Sequence, residues 1–128
     1  MPELVVAPKT CGRCGRRFDW RAAFSRNWEA MRYCSDRCRR QRLTDSDRAL
    51  ESQILLLLTS QPRGATICPS QAARLVRPDD WRDWQEHSRQ AARRLVAAGK
   101  LDFLQKGRVV DPTTAKGPVR LRLRVDDA

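Results

Sequence analysis

The sequence predicts an α+β chain, mainly helical, in which a small four-cysteine lobe precedes a winged-helix-like domain. Three observations carry this prediction. Four of the five cysteines, Cys11, Cys14, Cys34 and Cys38, lie near the N-terminal end. From Thr44 onward the hydrophobic pattern runs helix, short strand, helix, helix, hairpin, the order of a helix-turn-helix variant with a β-wing. Between the two, in "RLTDSDR", Thr44 and Asp47 have capping-box-like spacing, so a new helix starts there. The chain therefore divides into residues 1–43 and residues 44–128.

In the first lobe the cysteines read C-x2-C-x19-C-x3-C. "CGRCGR" has the form of a metal knuckle. Gly12 and Gly15 let backbone amides turn toward sulfur with no side chain in the way. In "YCSDRC", Cys34 and Cys38 are four apart and share one face of a helix. A knuckle plus a pair on the first turn of a helix brings four thiolates to tetrahedral reach. That is the closed sulfur site of structural Zn2+, and it makes the lobe a zinc-ribbon or treble-clef-like module. A redox pair at Cys11 and Cys14 would need a βαβ context, which is missing, and two disulfides would need an oxidising compartment. An iron–sulfur cluster also takes four cysteines, and the spacing leaves it open. Metal also answers a folding problem. A lobe of roughly 40 residues cannot bury enough core alone, and its large apolar groups are Phe18, Trp20, Phe24, Trp28 and Tyr33. Structural zinc contributes about 10 kcal/mol to folding.

In the second lobe, residues 45–60 form a helix with Leu50, Ile54, Leu57 and Leu58 on one face. "QPRG" breaks it and "ATIC" is a very short strand. Pro69, at a first helical position, opens a short helix through Val76. "RPDD" ends that helix and caps the next, which runs from about Asp80 to Ala98 and is closed by Gly99. Trp84, Ser88, Ala91, Leu95 and Ala98 form its apolar stripe. "LDFLQKGRVVD" is the wing hairpin, and "PTTAKGP" is a loop. "VRLRLRV" alternates, with Val119, Leu121, Leu123 and Val125 on one face and Arg120, Arg122 and Arg124 on the other.

Charge narrows the function. The formal net charge is +11, carried by 22 arginines and only 4 lysines. Arginine is the better phosphate reader, although the same bias also arises genome-wide, and composition speaks to non-specific binding rather than to a site. No apolar run reaches membrane-spanning length. "MPELVVAPKT" lacks the basic start and long apolar stretch of a secretory signal, so a cytoplasmic protein is expected. Arg13 to Arg42 hold ten arginines against Asp19, Glu29 and Asp36. Some should balance the thiolates and hydrogen-bond sulfur; the surplus should face outward. The candidate nucleic-acid contacts are Arg13, Arg16, Arg17, Arg39, Arg40 and Arg42 in the first lobe. In the second they are Lys106 and Arg108 on the wing and Arg120, Arg122 and Arg124 on the last strand.

Other residues point away from catalysis. The start of the third helix, Asp79 to Ser88, holds four acids against Arg82, which repels phosphates; the same acids would also stabilise a helix N-terminus. Cys68 reads as a small buried hydrophobe and His87 as a partly buried helix residue. No Ser/His/Asp set, Gly-rich phosphate loop or carboxylate pair in context is present, so no enzyme activity is expected.

"CGRCGRRFDWR" followed by "RYCSDRCRR" resembles a family of small bacterial cysteine-rich proteins of unknown function. "ATICPSQAARLV", "DDWRDW", "VDP" and "GPVRLRLR" resemble a second uncharacterised bacterial family. The first resemblance implies a zinc site on Cys11, Cys14, Cys34 and Cys38, and the second implies a winged-helix-like lobe. "YCSDRCR" is also similar to part of the zinc-binding DNA gyrase inhibitor family. The gap between cysteine pairs is longer here, and that function is not carried over. The expectation is a non-enzymatic zinc protein that binds nucleic acid. The alternative is a protein–protein adaptor that docks through its cysteine lobe or the acidic helix face. The acidic helix start favours the adaptor, and the net charge favours nucleic acid.

Overall fold

A computed structural model of the chain describes residues 6–124. Among these residues there are four α-helices and two small antiparallel sheets, and no helix is long and apolar enough to cross a membrane. In the cysteine lobe, strands β1 (Lys9–Thr10) and β2 (Arg17–Phe18) pair with Lys9 opposite Phe18. Two 3-10 turns, Ala22–Phe24 and Trp28–Ala30, then lead to helix α1 (Asp36–Arg40). Trp28 is the buried aromatic of this lobe. Phe18 meets it edge-on at 5.6 Å and Phe24 stacks on it at 6.3 Å. The Lys9 ammonium sits 4.8 Å from its ring centre and donates to the carbonyls of Trp28 and Met31. Trp20, expected to help build this core, is instead 42% exposed.

The second lobe packs α2 (Asp45–Thr59), α3 (Pro69–Val76) and α4 (Gln85–Ala97) on a sheet of β3 (Thr66–Ile67), β4 (Leu101–Gln105), β5 (Arg108–Val110) and β6 (Arg120–Leu123). Thr44 and Asp47 form the capping box that starts α2, and Leu50, Ile54 and Leu58 are buried along it. Leu57 is half-buried, and Leu56 faces outward. Ala72 and Ala73 on α3 and Ala91 and Ala92 on α4 are fully buried. Such small side chains let the two helices approach closely, and the buried Ser88 hydroxyl is satisfied by the Pro69 carbonyl at 2.7 Å. The third helix does not start at Asp80. A 3-10 turn, Trp81–Trp84, comes first, tightened by an i→i+3 bond from the Asp83 amide to the Asp80 carbonyl. Ala98, placed in its stripe, lies past the helix end and is exposed, where Gly99 turns the chain at φ +78°.

The strand order is β3-β6-β4-β5. Ile67, Leu121 and Phe103 form one cross-strand row, all fully buried against the helices. The last strand thus enters the middle of the sheet and leaves β5 at the edge. Period-two alternation turns Arg120 and Arg122 to the opposite face from Leu121; Val125 lies outside the described residues. Lys106 and Gly107 both have positive φ, as a two-residue hairpin turn requires.

The lobes are joined by a buried polar seam along α4. Gly15, at φ +79°, lies so close to α4 that an added Cβ would stand 2.3 Å from Arg93 Cβ. Arg93, almost fully buried, donates to the Cys14 carbonyl at 3.1 Å and pairs with Glu86 at 3.0 Å. Arg94 donates to the Arg13 carbonyl at 2.5 Å and pairs with Glu51 at 3.0 Å. Arg17 forms a two-point ion pair with Asp111 in the loop after β5, and its amide donates to Thr113 Oγ1.

Candidate metal centre and the arginines around it

The β1–β2 turn presents Cys11 and Cys14, and the start of α1 presents Cys34 and Cys38. Their four sulfurs lie within 4.8 Å of one another. Cys14 to Cys34 and Cys34 to Cys38 are each 3.7 Å. A tetrahedral ion with metal–sulfur bonds of about 2.3 Å sets its sulfurs roughly 3.8 Å apart, so the cage has the size for one metal ion. Local sequence builds it. The amides of Arg13 and Cys14 approach Cys11 Sγ at 3.4 and 3.5 Å, and the Gly15 amide closes the turn on the Cys11 carbonyl at 3.0 Å. The Gly12 amide donates to the Arg32 carbonyl at 2.8 Å and so ties the first pair to the segment before the second. Ser35 caps α1 by accepting from the Cys38 amide at 3.2 Å.

The thiols share charge unevenly. The Cys14 thiol, together with backbone amides, outweighs burial and holds Cys11 down to about 4. The same contact with Cys11, and then burial, pushes Cys14 far up; burial, then the charge on Cys11, raises Cys34. Clustered thiols hold protons that a divalent ion displaces on binding.

The arginines near the cage do not act as expected. Among the described residues no arginine side chain hydrogen-bonds a cysteine sulfur of the cage. Arg13, placed among the outward contacts, is buried and turned toward the second lobe. It donates to Gln90 Oε1 at 2.6 Å and lies 3.3 Å from His87 Nδ1 and 3.7 Å from Asp47 Oδ2. Asp47 is fully buried and also meets His87 Nδ1 at 3.1 Å. Burial pushes Asp47 up. The Thr44 amide and hydroxyl, then Arg13 and His87, outweigh it and hold the carboxyl below the usual range. Arg17 is likewise engaged, by Asp111. Arg16, Arg40 and Arg42 are exposed, and Arg39 pairs with Asp36 at 3.3 Å in solvent.

In the second lobe Lys106 and Arg108 are exposed at the hairpin turn. Arg120 is pinned to the Thr66 hydroxyl and carbonyl. Arg124 is pinned to Asp102 and the Leu101 carbonyl. Arg63, Arg122, Arg124 and Asp102 line an open concavity of about 510 Å³. The acids at the start of the third helix are partly neutralised: Asp80 pairs with Arg77 at 2.9 Å, and Glu86 with Arg93. Arg74 and Arg82 flank the Trp81 ring at 3.9 and 4.9 Å, and Arg77 covers Trp84 at 4.8 Å. The charge along the sequence therefore overstates how acidic this surface is. Cys68, expected to be buried, is half-buried at the N-cap of α3, with the Ser70 hydroxyl 3.1 Å from its sulfur.

Sequence reasoning missed Asp47, Arg93 and Arg94 as partners of the knuckle. Glu86 and Arg93 stand seven apart, two helical turns, which hinted at a pair on one face. The partner of Asp47, Arg13, lies in the other lobe and leaves no local signal.

No curated protein matches the chain. Residues 5–41 match the family described as "uncharacterized protein conserved in bacteria (DUF2256)". Residues 47–124 match the family described as "protein of unknown function (DUF3253)". The two stand in tandem, as in a fusion of two uncharacterised bacterial families. The second match spans more than half of the chain, which therefore belongs to the DUF3253 family.

Proposed function

We propose that this is a non-enzymatic zinc protein that binds nucleic acid through its cysteine lobe. One observation carries the reading. Arg16, Arg21, Arg26, Arg32, Arg37, Arg40 and Arg42 are all exposed and have no carboxylate partner among the described residues. The unpaired described acids of that lobe are Asp19 and Glu29. A divalent ion on four thiolates leaves two negative charges, too few to neutralise such a surface. Exposed guanidiniums without carboxylate partners are suited to phosphates. Arg63 and Arg122, which line one concavity of the second lobe, add further basic groups. All-cysteine ligation favours zinc in a closed, structural role, and the knuckle-plus-helix arrangement supports a treble-clef-like lobe. The helix, strand, helix, helix, hairpin order, with β6 pairing back to β3, supports a winged-helix reading of the second lobe, in which the β4–β5 hairpin is the wing. Reduced thiolate ligands suit a cytoplasmic setting.

The test is a salt series with short DNA and RNA on metal-loaded protein. The slope of log K against log salt falls by about 0.7–0.9 for each phosphate that the protein no longer neutralises. Arg40→Ala with Arg42→Ala should flatten the slope and weaken binding to all sequences alike, while Arg82→Ala should do little. No binding at low salt would overturn the reading. Metal analysis of protein purified without added zinc should give one zinc per chain, and iron with visible absorption would displace the zinc assignment.

A further inference from the structure

A cavity of about 400 Å³ opens in the cysteine lobe between the second 3-10 turn and the segment entering α1. Its walls are largely apolar and aromatic, with Phe24, Met31 and Tyr33 the largest lining groups, and its charged lining is Arg32, Arg39 and Asp36, the last paired with Arg39. The Phe24 ring stacks on Trp28 at 6.3 Å, and the Arg21 guanidinium rests 5.0 Å from its centre. Arg32 is exposed and unpaired among the described residues, and Arg39 has only the exposed partner Asp36. In volume the cavity falls within the range of small-ligand sites.

Aromatic walls flanked by two guanidiniums suit one kind of ligand. Rings stack the face of an unpaired base, while arginines hold the phosphates on either side. A duplex keeps its bases stacked inside and has none to offer. The charge around the cavity also selects a polyanion over an uncharged apolar segment. We propose that this cavity receives one unstacked base of a single-stranded nucleic acid, with the neighbouring phosphodiesters on Arg32 and Arg39. The inference rests on the polyanion reading above and adds the base to it.

The experiment uses full-length, metal-loaded protein and two fluorescent single strands of equal length, one of thymidines and one wholly abasic with the same phosphates. The base-bearing strand should bind about tenfold tighter, the effect of one stacked base. Ala30→Leu, which fills the cavity from an exposed position, should erase that difference while leaving abasic binding and metal content unchanged. Tyr33→Ser is the second variant and should do the same. Equal binding of both strands overturns the base pocket and leaves the phosphate surface standing. A difference that survives both variants also overturns it, because the base then stacks elsewhere. Failure of both strands at low salt sinks the polyanion reading itself. Binding of a glutamate-rich peptide bearing one phenylalanine, with neither strand bound, would give the cavity to a protein partner and overturn the proposal.

Discussion

The cysteine lobe and the second lobe obtain their order by different means. The second lobe buries a continuous cluster, from Leu50 and Ile54 on α2 through Ala91 and Leu95 on α4 to Phe103 and Leu121 in the sheet. Among the described residues the cysteine lobe buries one large aromatic, Trp28, together with Cys11, Cys14 and the Arg13 that faces the other lobe. Its shape comes from directed bonds: amides on sulfur, Lys9 on two carbonyls, and Arg93 and Arg94 reaching across from α4. A hydrophobic core tolerates local damage because its stabilisation is spread over many side chains. A lobe built from a few directed bonds does not. The comparison also shows why α4 has two roles, with Ala91, Ala92 and Leu95 facing its own core and Arg93 and Arg94 serving the neighbour.

Metal removal should separate the two lobes most sharply. Chelation or Cys11→Ser should abolish order in the cysteine lobe, because structural metal contributes about 10 kcal/mol. The second lobe should stay folded but melt earlier, having lost its docked neighbour. Near-ultraviolet dichroism would follow the Trp28 cluster, and far-ultraviolet dichroism the helices. An unchanged melting curve would show that the seam couples nothing.

Asp47→Ala attacks the seam itself. It leaves Arg13 buried without its carboxylate and removes one half of the α2 cap, so a loss of about 3–5 kcal/mol is expected in denaturant unfolding. Gly15→Ala should cost about 1–3 kcal/mol, since the new methyl meets Arg93 at a left-handed backbone position. Metal content measured alongside should fall in Gly15→Ala if the docked lobe and the knuckle share one geometry.

A pH series sharpens the same point. The folded pKa of Asp47 lies below its ordinary 3.8. Its contribution is therefore fully present above that value and is lost as pH falls through the folded pKa. Asp47→Asn cannot titrate. The stability gap between it and the parent should narrow as pH falls through the folded pKa of Asp47. A gap that closes near neutral pH would point to a different group. The smallest effect belongs to Arg17→Ala. Its pair with Asp111 is half exposed, and a loss of less than about 1 kcal/mol is expected.

Much of this architecture was legible in local patterns. The cysteine spacing pointed to the cage, Thr44 and Asp47 marked the start of α2, Pro69 opened α3 at the right residue, and strict alternation marked β6. These signals are short-range, so a single stretch of sequence contains them. The 3-10 start of the third helix was not legible, because propensity does not separate a tightened first turn from an α turn. Nor was the inward turn of Arg13. A run of arginines beside a metal site reads as surface charge until a buried carboxylate from another element is brought against it. The aromatic cavity was hidden for a related reason: Phe24, Met31 and Tyr33 look like core residues in sequence, and only the fold leaves a hollow between them.

The grip of α4 on the knuckle has a practical side. Arg93 and Arg94 hold carbonyl oxygens, which every amino acid carries, so apart from the buried Arg13 the mount does not depend on which side chains the turn displays. Arg16 is exposed, and a methyl added at Gly12 would meet only ordinary contacts at 3.5 Å. Arg16 can be replaced, and Gly12 can take a methyl, without unseating the lobe, whereas Gly15 cannot. The second lobe is in effect a socket that grips the knuckle by its backbone and by Arg13, and leaves the outward positions of the turn free to vary.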